Sequence, residues 1–155
     1  MRRILVLILI ICFCFFVGFL ASKVQAESLA NWYPLLNKSS LTPPNYIFPI
    51  VWNILYLCMG LSIGYILTRR NPKEMILFGL FSLQLALNFL WSITFFYMQN
   101  PLFGLINITL LLVVIGAYLI ASFKWANRFS FAMFIPYFLW VLFAGYLNLY
   151  IVLYN

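Results

Sequence analysis

A chain of 155 residues that is 66% hydrophobic and only 7% charged cannot cover itself with a water-facing surface. Composition therefore rules out a soluble domain and leaves an all-α, polytopic membrane protein built as one bundle. The net charge of +7 comes from nine Lys and Arg against Glu27 and Glu74; it is spread over short connections, with no basic patch to hold a nucleic acid.

The first span is predicted over residues 4–21, after Met1-Arg2-Arg3. The run is close to the lower limit of about 17 residues for a crossing helix. Val24-Gln25-Ala26 offers a signal-peptidase pattern, but the apolar run is longer than the roughly 7–15 residues of a signal core. Retention of this helix is expected. Ile11 before Cys12 argues against a lipoprotein site.

An external loop is predicted over 22–45. It carries Trp32, Tyr33, Leu35, Leu36 and Leu41 and is stiffened by Pro34, Pro43 and Pro44, which fix φ and remove donors. Such a stretch reads either as a lid on the bundle or as an interfacial aromatic anchor. The second span is predicted over 46–67, with Pro49 in its first turns and Gly60-x-x-x-Gly64 as a smooth face for close helix approach. That face suits a contact within the chain, or otherwise a partner.

Asn71, Pro72 and Glu74 suit the cap, first and third positions of a helix over 73–98. Asn100-Pro101 repeats the device for a helix over 101–123. A basic turn over 124–129 with Trp125 follows, then a fifth span over 130–153 with Pro136 as its expected kink. Arg2, Arg3, Arg69, Arg70, Lys73, Lys124 and Arg128 fall on one side, and Lys23 and Lys38 on the other. This bias places the N-terminus in the cytoplasm and the loop and C-terminus outside. Cys12, Cys14 and Cys58 lie in apolar runs without a metal or redox spacing, and are expected to be reduced, buried small hydrophobes.

The chain has no His, and its two acidic residues are both Glu. A Ser–His–Asp triad and a conventional metal site therefore lack their parts, and no ionisable residue lies inside a span to drive proton coupling. No catalytic residue, metal ligand or required cofactor is expected. The helices instead carry amides and aromatics at helical spacing. Gln84, Asn88, Trp91 and Phe95 share one face. Trp52, Asn53 and Tyr56 lie close together, and Tyr137, Trp140, Ala144 and Asn148 occupy adjoining turns. Amides at such positions commonly bond across membrane helices, which is the plain reading for Gln84, Asn107 and Asn148. Trp91 and Trp140 lie well inside their spans, away from the interfacial belts where Trp is usual. Walls of indole and amide would suit a flat apolar ligand with a few polar edges.

Trp32-Tyr33, Thr42-Pro43-Pro44, Val51-Trp52-x-x-Leu55-Tyr56, Leu87-Asn88-Phe89-x-Trp91-Ser92 and the block from Pro136 to Asn148 resemble the TspO/MBR family of tryptophan-rich sensory and translocator proteins. Two positions depart from that pattern: Lys38-Ser39-Ser40-Leu41, where the family usually has Lys-Pro-x-Trp, and Asn107, where an acidic residue is frequent. The resemblance implies a five-helix bundle, often a homodimer, in a bacterial plasma membrane. It implies a porphyrin such as protoporphyrin, or another small apolar aromatic molecule, bound between the helices beneath the loop, with a sensing, sequestering or transport role. Carried over by motif, the binding residues are Trp32, Tyr33, Trp52, Tyr56, Asn88, Trp91, Phe95, Trp140 and Ala144. With no His as axial ligand, metal-free porphyrin suits the site better than haem. The rival readings are a light- and oxygen-dependent porphyrin-degrading enzyme and a scaffold that holds a partner on Gly60 and Gly64. Sterol-type patterns around Tyr65 and Tyr118 are too loose to carry weight.

Overall fold

The computed structural model describes residues 2–69 and 72–155. Among them, five helices are long and apolar enough to cross a membrane, and no strand occurs. They are α1 (Arg2–Asn31), α2 (Ile47–Thr68), α3 (Glu74–Trp91), α4 (Pro101–Ala121) and α5 (Arg128–Tyr154). α3 and α4 run on into π-helical segments, Ser92–Tyr97 and Ser122–Ala126. The protein is an integral membrane protein with the all-α architecture that its composition demands.

The largest departure from the sequence reading is α1. Its 30 residues span about 45 Å, against about 30 Å of hydrocarbon, so the helix runs past the apolar stretch over 4–21. The connection expected over 22–45 shrinks to residues 32–46. The end of apolarity marks where the lipid ends, not where the helix does. Residues 22–31 contain neither Pro nor Gly, and they gain tertiary partners. Ser28 Oγ donates to the Phe96 carbonyl at 2.6 Å, and Gln25 Nε2 donates to Ser92 Oγ at 2.6 Å. Both bonds fasten the upper part of α1 to the π segment after α3.

Lower down, α1 lies on α2. A methyl built on Gly60 would stand 2.8 Å from Ile11 Cγ1 and 2.9 Å from Ile11 Cα, and one on Gly64 would meet the Leu7 side chain. The glycine pair is thus a seam inside the chain, and the partner face suggested for it is already covered by α1. The opposite face of α1, including Leu9, Phe13 and Phe16, is exposed to lipid. Cys12 also points outward, whereas Cys14 is buried and Cys58 half-buried, so burial of all three cysteines does not hold.

The expected cap at Asn71 lies outside the described residues. Pro72 is in a turn and α3 begins at Glu74, with Lys73 at the N-cap position and no side-chain capping bond to the helix. Residues 92–97 do not continue the α-helix predicted to 98. Its hydrogen-bonding pattern widens there, which sets Phe96 five residues after Trp91 on one face. Asn100 Oδ1 accepts from Phe103 N at 3.0 Å, with Pro101 opening α4 as its sequence predicts. The basic stretch over 124–129 is mostly helical rather than a turn. Asn127 Oδ1 accepts from Ser130 N at 2.8 Å and starts α5 at Arg128. Pro136 lies inside α5, which continues through it.

One half of the bundle is filled. Tyr118 and Phe134 have ring centroids 4.2 Å apart, with Phe81 and Tyr137 against them. Ser62 and Ser130 each donate to the other's carbonyl, at 2.8 and 2.9 Å, and the Ser62 hydroxyl also meets Tyr118 Oη at 2.9 Å. This packing closes the end that carries Arg69, Lys124 and Arg128. The other half, beneath residues 32–46, stays open.

Candidate functional site: a tryptophan-walled cavity

A cavity of about 690 Å³ occupies that open half, between α1, α2, α5 and the π-helical end of α3. Tyr33, Trp52, Tyr56, Asn88, Trp91, Phe95, Trp140 and Ala144 all line it. Trp32 does not. Its ring packs edge-on against Phe95 at 5.5 Å, so it stands behind the wall. Nothing in the spacing Trp32-Tyr33 says which of two neighbours turns inward. The short 3-10 turn over Tyr33–Leu35, opened by Pro34, decides it in favour of Tyr33.

The roof is a tied loop. Lys38 Nζ donates to the carbonyls of Tyr33, Pro34 and Leu36 at 2.8, 3.2 and 3.2 Å, and lies 4.9 Å from the Tyr33 ring. Its charge is therefore spent on the loop's own backbone. Ser39 Oγ meets Tyr146 Oη at 3.1 Å. Asn37 and Asn155 exchange two bonds, at 2.8 and 3.1 Å. The Ser that departs from the family pattern thus fastens the loop to α5. Burial pushes the Tyr33 phenol above its ordinary range, so that phenol stays protonated beside the Lys38 ammonium.

The walls are indoles. Trp52 lies 5.6 Å from Tyr56 and 6.3 Å from Tyr137. Trp140 packs against Phe48 and Phe143, at 5.9 and 5.8 Å. Trp91 stacks on Phe95 at 5.2 Å and 19° and meets Phe96 edge-on at 5.5 Å. The π register makes the double contact possible, since residues four and five positions on then straddle one face.

The polar groups separate into occupied and free. Tyr56 Oη donates to Asn88 Oδ1 at 2.9 Å, and Asn88 Nδ2 donates to Tyr137 Oη at 3.1 Å. Asn88 is thus a hub joining α2, α3 and α5, with only a second lone pair and a second amide proton left for a ligand. Trp91 Nε1 donates to Asn148 Oδ1 at 3.2 Å, and Asn148 Nδ2 donates to the Pro101 carbonyl at 2.8 Å. Asn107 Nδ2 donates to the Leu87 carbonyl at 2.8 Å, and Gln84 Nε2 reaches Met59 Sδ at 3.8 Å. Those three amides join helices, as the plain reading has it. Trp140 Nε1 is buried and has no hydrogen-bond partner among the described residues, and the same holds for Gln84 Oε1, Asn107 Oδ1 and Ser122 Oγ. What Trp140 offers the cavity is its ring.

Sequence reasoning missed the contribution of α1. Gly18, Ala21, Gln25 and Leu29 line the cavity at helical spacing, and the Tyr56 ring fills the space that a Gly18 side chain would take. The signal was present as small and polar residues every three to four positions, but it straddles the boundary of the apolar run. Among the described residues no group of three His, Cys, Asp or Glu could hold a metal ion. The site can stack and hydrogen-bond a flat molecule, and no His, carboxylate, Lys or Arg lines it.

The TspO/MBR family profile matches residues 10–154, from the lower part of α1 to the end of α5. The chain belongs to the TspO/MBR family. It is 39% identical over 149 residues to a tryptophan-rich protein TspO of Chlorobaculum tepidum, covering 95% of this chain and 94% of that one. A protein of the same name from Archaeoglobus fulgidus is 36% identical over 139 residues, 90% of each chain. The human translocator protein is 31% identical over 131 residues, 81% of this chain and 75% of that one. The TspO/MBR match takes in most of α1, consistent with its structural place as cavity wall and cover for Gly60.

Proposed function

We propose that the cavity binds porphyrins and similar flat, largely apolar aromatic molecules, and that binding serves sensing, sequestration or transport in the membrane. The observation that carries this reading is the convergence of Trp52, Trp91 and Trp140 on one cavity. Indole faces stack on a flat ligand, and the second lone pair and amide proton of Asn88 can orient it. Some relatives carry the names sensory protein and translocator protein, which agree with such a role. The cavity walls contain no His, so metal-free porphyrin suits the site better than His-ligated haem.

Titration of purified protein with protoporphyrin, followed by Trp fluorescence, tests it. Losing one aromatic stack is worth about 0.5–1.5 kcal/mol. Trp140→Phe and Trp52→Phe should therefore each weaken binding about two- to twelvefold. Trp125→Phe, at the opposite end of the bundle, should not. Equal affinity across all three would return the indoles to bundle packing. Light-dependent loss of the porphyrin absorption band in the same samples would favour the degrading enzyme instead.

The orientation follows from charge. We place the protein in a bacterial plasma membrane with residues 32–46 outside. A cysteine introduced at Asn45 in a cysteine-free background should be labelled from outside intact cells, and one at Lys124 should not. Labelling at Lys124 alone would invert the topology.

A further inference from the structure

The cavity has a side opening between α1 and α2. Phe15, Phe19 and Ser22 on α1 and Pro49 and Asn53 on α2 both line it and are exposed. None of the residues lining it is charged. The polar side chains there are amides and hydroxyls, so the interior stabilises no carboxylate by ion pairing. Lys38, the cation of the roof, is held by three backbone carbonyls. Lys23 is placed differently. It follows Phe15 and Phe19 on the same helical stripe, and its Nζ stands 5.3 Å from the Phe19 ring centroid, at the mouth. It is exposed, so it keeps its hydration until a ligand arrives. Glu27 follows one turn later, and a Lys preceding a Glu is the weaker order for a helical pair.

We propose that Lys23 is the carboxylate anchor at this mouth, and that the site selects an amphipathic aromatic carboxylate whose flat body enters between the indoles while its acid group stays at the α1–α2 rim. This rests on the porphyrin-type reading above and adds the charge of the ligand to it. The apolar body gains from leaving water, whereas a carboxylate drawn into an uncharged interior would lose its hydration without a partner. The acid group therefore remains where a cation and water meet it. Phe19 holds the ammonium at that depth through a cation–π contact.

The test compares protoporphyrin with its dimethyl ester, which has the same ring and no acid, in a non-ionic detergent at low salt. Native protein should bind the acid more tightly than the ester. Lys23→Gln should weaken the acid roughly fivefold, the upper range for a solvent-exposed ion pair, and leave the ester unchanged. Lys23→Arg should restore the acid, and high salt should erase the difference in native protein. Lys124→Gln, which removes a charge from the far end, should alter neither ligand. If both porphyrins bind and Lys23→Gln changes neither, or both alike, the anchor is overturned while the porphyrin reading stands. If native protein binds neither, both fall together.

Discussion

Replacing Asn88 by Leu should loosen the whole bundle, and not merely weaken a ligand. Tyr137 is 0% exposed and Tyr56 is 5% exposed, so neither hydroxyl can turn to water when its amide partner is lost. In a soluble core an orphaned buried group costs about 1–3 kcal/mol. In a membrane the reference state also finds partners, and single bonds average about 0.6 kcal/mol with a maximum near 1.7. Two lost bonds therefore cost about 1–3 kcal/mol in total. The expected result is a clear fall in the thermal unfolding midpoint in detergent, together with weaker porphyrin binding because Tyr56 and Trp52 lose their fixed positions. Rescue identifies the cause. Adding Tyr56→Phe and Tyr137→Phe to Asn88→Leu removes every orphan at once and should recover much of the stability, since replacing both partners with apolar groups is close to neutral. An Asn88→Leu protein with an unchanged midpoint would show that the hub carries no load. Porphyrin affinity would then be the only property left to assign to Asn88.

The second large effect is at Gly60. An added methyl would lie 2.9 Å from Ile11 Cα, a backbone atom that no rotamer change can move. Gly60→Ala must push α1 away from α2. Overpacking of this kind costs about 1–3 kcal/mol, partly offset by about 1 kcal/mol of better helix propensity. The displacement also pulls Gln25 and Ser28 away from Ser92 and Phe96, so porphyrin affinity should fall with stability. Gly64→Ala should be milder, because its nearest neighbour is the end of the flexible Leu7 side chain. Gly79→Ala is the control. Nothing lies within 4 Å of its added methyl, and it should be neutral or slightly stabilising. Unfolding midpoints ranked Gly60 lowest, then Gly64, then Gly79 are the expected outcome. Equal midpoints at Gly60 and Gly79 would contradict the seam.

Much of this arrangement is legible in the residues themselves. The five apolar runs, and the Asn100-Pro101 start of α4, need only local chemistry: hydrophobic length, an amide that accepts from a backbone N–H, and a proline where no donor is needed. The shared face of Gln84, Asn88, Trp91 and Phe95 follows from helical periodicity, and its positions are buried or half-buried as that face requires. Eight of the nine residues that the family resemblance points to line the cavity, and Trp32 packs behind it on Phe95.

Tertiary structure alone decided the rest. α1 outlasts its apolar run because Ser28 and Gln25 find partners 68 and 67 residues away. The π register after α3 brings Phe95 and Phe96 onto Trp91 together. Asn88 is a hub because Tyr56 and Tyr137 come to it from 32 and 49 residues away. Periodicity tells which side of a helix leaves the lipid. It does not tell what that side meets, because a membrane-helix amide is equally suited to a ligand and to a neighbouring hydroxyl. Only the placement of the other helices determines which of the two it finds.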